Sequence, residues 1–116
     1  MDLVKKMQIP EGVNVFIVNR PRSLKLDLPM SKKDSEDAAI LVFAINSNEL
    51  EKYCKPATEA AKNDQISWIA YPKSKQLDTD LNRDKLWQFM KTHRIEPVRL
   101  ISINEVWSAM RFRPAK

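Results

Sequence analysis

The sequence predicts one α/β domain over residues 1–116: a three-layer mixed sheet of about five strands, largely parallel, with helices on its faces and an antiparallel hairpin at the C-terminal end. Three observations carry that expectation. Residues 38–45, AAILVFAI, are continuously apolar without alternation, which suits a strand buried on both faces of a parallel sheet. Segments of helical period follow this strand and the next, as crossovers between parallel strands require. Near the end of the chain, two strand-like runs are separated only by Asn104 and Glu105, a spacing that makes them antiparallel neighbours.

Taken in order, residues 13–19, VNVFIVN, are rich in β-branched residues and stop at Arg20-Pro21, so they form the first strand. Residues 20–37 contain two prolines and mixed charges, compatible with one short helix at most and a loop through PMSKKDSED. The buried strand at 38–45 comes next. Asn48 with Glu51 three residues on resembles a capping box, and Leu50, Tyr53, Cys54, Ala57, Ala60 and Ala61 recur at helical spacing. Pro56 should kink or divide that helix. Residues 66–71 form another strand, and a helix runs from about residues 79–82 to His93 with Leu86, Phe89 and Met90 inward. Residues 97–103 and 106–112 are the hairpin.

Composition excludes several classes. A chain of 116 residues with 43% hydrophobic content suits one domain, burying roughly two-thirds of the surface its unfolded form exposes. No apolar run approaches the roughly 20 residues of a membrane span, and MDLVKKMQIPEG lacks a signal peptide's apolar segment, so a soluble cytoplasmic protein without a membrane partner is expected. One cysteine excludes an internal disulfide, and one histidine with one thiol leaves little material for a metal site. No cofactor is expected. The formal charge of +5 is concentrated in residues 79–116, which hold 8 basic and 4 acidic residues. The basic residues alternate with acids and form no nucleic-acid motif, which disfavours a nucleic-acid partner.

The order of elements resembles the second half of a Rossmann-type methyltransferase sheet, in which two parallel strands and their helices precede a reversed final hairpin. Nucleotide-binding members of that architecture need a glycine-rich turn after the first strand, whereas the only glycine here, Gly12, precedes it. More specifically, WIAYPK (68–73), TDLNRD (79–84) and VWSAMRF (106–112), in that order, resemble a family of small bacterial proteins known as a domain of unknown function. The similarity covers residues 13–113 and implies no particular activity. Members commonly carry a glycine-containing loop after the proline, where this chain reads Lys73-Ser74-Lys75-Gln76-Leu77. They also tend to have an acidic pair before the final tryptophan, where this chain has Asn104-Glu105.

Candidate binding residues lie where open α/β sheets bind ligands, at the carboxyl ends of strands. Lys73 follows one strand, and Asp80, Asn82 and Arg83 stand at the start of the next helix. Asp80 and Asn82 have an equally good structural role, since such residues cap free N–H groups. Trp68, within a strand, and Trp87, within an amphipathic helix, are expected in the core. Trp107 and Arg111 share one face of the last strand and form either a packed network or a recognition surface. His93 and the serines fit no nucleophile pattern. Three function classes follow. The first is a non-enzymatic binding or interaction module, with a protein partner or a second copy, using Lys73, Asp80, Asn82, Arg83, Trp107 and Arg111. The others are a binder of small anions or degenerate methyltransferase-like enzyme, and a nucleic-acid binder.

Overall fold

A computed structural model describes residues 2–74 and 76–115. The chain opens with a single helical turn, α1 (Leu3–Lys6), capped by the Asp2 carboxylate, which accepts from the Lys5 N–H. Three strands follow, β1 (Val15–Val18), β2 (Met30–Ser31) and β3 (Ala39–Phe43), then helices α2 (Ser47–Tyr53) and α3 (Lys55–Lys62). Strand β4 (Ser67–Pro72), a short 3-10 turn at Gln76–Asp78, helix α4 (Arg83–Lys91), and strands β5 (Ile95–Ser102) and β6 (Trp107–Pro114) complete the fold.

One six-stranded sheet runs in the order β2-β1-β3-β4-β6-β5. Pairings from β2 to β4 are parallel, and β6 runs antiparallel to both β4 and β5. The hairpin thus closes inward: β6 inserts between β4 and β5, and β5 becomes the edge of the sheet. That edge is irregular, with a register shift between Pro97 and Arg99. Proline cannot donate to a ladder and an extra residue bends the strand, both usual features of edges.

Strand alternation divides the core in two. Ile40, Val42, Ile69, Tyr71, Met110 and Phe112 face α2, α3 and α4, meeting Leu50, Ala57, Ala61, Leu86 and Met90. Leu41, Phe43, Trp68, Ala70, Trp107 and Ala109 face the opposite side. There the covering layer is irregular, made of the N-terminal segment through Met7 and Ile9 and the segment bearing Leu24, Leu26 and Leu28. Trp68, fully buried, donates its indole Nε1–H to the Met7 carbonyl at 3.2 Å and so fastens that segment to the sheet.

Local expectations hold with one shift at a helix cap and one in the hairpin, whose strands are β5 (Ile95–Ser102) and β6 (Trp107–Pro114) with four residues between them in place of the two expected. Pro56 divides the helix as anticipated: α2 ends at Tyr53 and α3 begins at Lys55, with the proline in its first turn. The cap, however, is Asn46, whose Oδ1 accepts from the Glu49 N–H at 2.9 Å, so the capping pair lies two residues before Asn48 and Glu51. Residues 20–37 contain no helix; their one regular element is the two-residue edge strand β2.

Candidate functional site

The strand-end residues are engaged mainly with their own fold. At the carboxyl end of β4, Lys73 donates its backbone N–H to Val106 O at 2.7 Å and its Nζ to Ser102 Oγ at 2.7 Å, tying the strand to the hairpin. Asp80 accepts from the Ser47 N–H at 2.8 Å and from the Ser47 hydroxyl, which holds its carboxyl below the usual carboxylate range. A carboxylate of the chain itself therefore occupies the start of α2. Beside it, Glu49 Oε1 accepts from the Ile45 N–H at 2.9 Å and from Asn19 Nδ2 at 3.0 Å. Asn82 caps α4, accepting from the Lys85 N–H at 2.8 Å.

The two candidates on β6 lie on the other face of the sheet. Trp107 is only 4% exposed and packs edge-on against Phe43, with ring centroids 5.0 Å apart. Arg111 donates from Nη1 to Gln8 Oε1 at 3.0 Å, a contact to the N-terminal segment. Neither meets Arg83, and Arg111 pairs with neither Asp80 nor Asp84. Lys73, Asp80 and Asn82 thus brace the carboxyl end of the sheet, and Trp107 and Arg111 fasten its far face.

Arg83 differs from the other candidates. Its side chain is 69% exposed, with Nε 3.7 Å from Asp84 Oδ1, itself 72% exposed, and it opens onto a groove between α4 and the edge strand β5. Arg83, Asp84, Trp87, Pro97, Val98, Arg99, Leu100 and Met110 enclose about 300 Å³ there. The floor is apolar: Trp87, Val98 and Leu100 are 45%, 42% and 45% exposed. The remaining large exposed apolar side chains among the described residues, Met30 and Leu77, lie elsewhere. Scattered exposed apolar residues are ordinary, but three converging in one groove are not.

Trp87, expected in the core, thus stands on the surface. The inward stripe of α4 is Leu86 and Met90, four residues apart; Trp87 lies about 100° around the helix from Leu86, over the open edge. Lys91 Nζ sits 6.0 Å from its ring centroid. The sequence signal for the groove was an apolar arc on α4 (Leu86, Trp87, Phe89, Met90) wider than one buried stripe needs, together with Val98 and Leu100 two apart on β5.

A polar cluster adjoins the groove. The cross-strand pairs Tyr71–Ser108, Ser102–Ser108 and Leu100–Met110 share the helix-bearing face, so Tyr71, Ser102 and Ser108 continue the floor toward the carboxyl end of β4. Tyr71 is 4% exposed. Its phenol is pushed above the usual range by burial; the Arg83 charge opposes that shift and Asp84 adds to it. Among the described residues, no group of three or more His, Cys, Asp or Glu side chains could hold a metal ion, and no helix is long and apolar enough to cross a membrane.

No family model matches the chain, and neither a curated protein nor a solved structure matches it.

Proposed function

We propose that this protein is a non-enzymatic interaction module that binds another macromolecule through the α4–β5 groove. The observation that carries this reading is the convergence of Trp87, Val98 and Leu100, exposed and apolar, in one groove at the open edge of the sheet. Binding centres combine buried aromatic or aliphatic anchors with a polar rim, and tryptophan and arginine are enriched among their energetically dominant residues. Trp87, Leu100 and Arg83 supply that combination. The small-anion reading draws less support, because Asp80 fills the start of α2.

Membership in the small bacterial family rests on WIAYPK, TDLNRD and VWSAMRF alone and is proposed on those motifs. A cytoplasmic location is likewise a proposal.

The test is photo-crosslinking in cells. A diazirine-bearing residue at position 87 and another at position 100 are expected to capture the same adduct, and one at Met30, an equally exposed apolar position on the opposite edge strand, should not. The same adduct from position 30, or none from 87 and 100, would count against the groove.

A further inference from the structure

Resting on that reading, we propose that the α4–β5 groove takes a short acidic segment of another protein, with its carboxylates toward Arg83 and Lys73 and a bulky apolar side chain on Leu100 and Met110. Charge complementarity selects this occupant. Arg83 lines the groove, Lys91 stands beside Trp87 and Lys73 lies at the far end of the floor, whereas Asp84 is the one acid in the lining; Arg99 pairs with Arg111 and so belongs to the opposite face of β5. Asp84 lies beside Arg83 on an exposed surface, at 3.7 Å, where it offsets only part of this charge.

The polar end suits a carboxylate. Ser102 and Ser108 carry hydroxyls on the floor beyond Leu100 and Met110, and Lys73 Nζ already reaches Ser102 Oγ. A carboxylate arriving there meets the Lys73 ammonium, the Arg83 guanidinium and the Ser108 hydroxyl, groups that make charge-assisted hydrogen bonds, while the Ser102 hydroxyl is already donated to the Asn104 carbonyl at 3.1 Å. Two residues along an extended peptide, about 7 Å away, the next side chain on the same face falls over Leu100, Met110 and Trp87. Alternate acidic and apolar residues therefore match the groove.

The same rim weakens the competing occupants. A second copy meeting this surface through a two-fold axis brings together two rims that each carry Arg83 and Lys91, and an excess of like charge across an interface is unfavourable. A nucleic acid finds the cations but only one aromatic ring, Trp87, on a floor otherwise aliphatic, whereas single-strand binders present successive stacking rings.

The experiment is an NMR titration of ¹⁵N-labelled protein with an acetylated, amidated hexapeptide of alternating glutamate and leucine. Counterparts are alternating lysine and leucine, hexaglutamate, and a single-stranded thymidine hexanucleotide. The glutamate–leucine peptide is expected to move the amides of Arg83, Trp87 and Leu100 and the Trp87 indole, with an affinity at least tenfold above either peptide control. Arg83→Glu, at an exposed position, is expected to remove the preference without altering the rest of the spectrum. Equal or tighter binding of the lysine–leucine peptide overturns the proposal, as do larger shifts of these amides with the oligonucleotide or their concentration dependence in the protein alone. If position 100 captures an adduct while the acidic peptide shows no advantage, the acidic preference fails and the interaction surface stands; if neither peptide moves these amides and no adduct forms, both fail.

Discussion

At the scale of single residues, burial rather than residue type decides which side chains are available for recognition. The chemistry of Asp80 and Asn82 was legible in the sequence, because short polar residues before an apolar helical stripe cap helices. Asn82 caps its own helix, whereas Asp80 reaches across to Ser47 of α2, a contact that depends on how two loops meet in space. The tryptophans were harder to read: Trp87 and Trp107 each sit in an amphipathic element, and only the strand order shows that one overhangs an edge and the other lies inside. Asp80 gives a pH test. The Ser47 hydroxyl and N–H lower its folded pKa, so its stabilisation is complete above the unfolded carboxylate value of about 3.9 and is lost as pH falls through the lowered folded value. Asp80→Asn is expected to reduce the urea midpoint at pH 6, and the difference from the native chain should close as pH approaches 2. Solvent screening at this exposed position keeps the effect below about 1 kcal/mol. A difference independent of pH would mean that Asp80 acts by shape and not by charge.

At the scale of elements, periodicity located β1, β3, α2, α3, β4, α4 and the hairpin, because each buries a definite face. Pairs of capping residues are more easily misplaced. In INSNELEK, Asn46 with Glu49 and Asn48 with Glu51 present the same spacing, and the structure uses the first. Asn46→Ala is therefore expected to cost about 0.5–2 kcal/mol in urea unfolding, and Asn48→Ala, at an exposed position within α2, less than about 0.5 kcal/mol. Equal losses would place the cap wrongly. The two-residue β2 left no pattern to find, since a strand that short has neither alternation nor a continuous apolar run. The loop after β4 shows a further local departure: without glycine, Leu77 and Asp78 both take left-handed backbone, each with φ 52°. A glycine-dependent shape is here adopted by residues that pay more strain for it, about 1–2 kcal/mol for a side chain such as leucine.

At the scale of the whole molecule, the mixed sheet with a reversed final hairpin was legible, since buried strands, crossover helices and a short final connection leave few topologies. The position of the groove was not. It exists because β6 enters between β4 and β5, which moves Val98 and Leu100 to an open edge under α4, and nothing in local sequence states that insertion. The same order places Met30 on the opposite edge, where it provides an internal control for surface apolarity. The central claim is that recognition is anchored by the exposed apolar side chains of the α4–β5 edge. It is tested most directly by the dissociation constant of the crosslinked partner, measured by calorimetry, for the native chain, for Trp87→Ser with Leu100→Ser, and for Met30→Ser. The double variant is predicted to bind at least 30-fold more weakly, corresponding to about 2 kcal/mol for loss of a central anchor, and Met30→Ser to bind within about twofold of the native chain. Unchanged affinity in a folded double variant, or an equal loss in Met30→Ser, would contradict it.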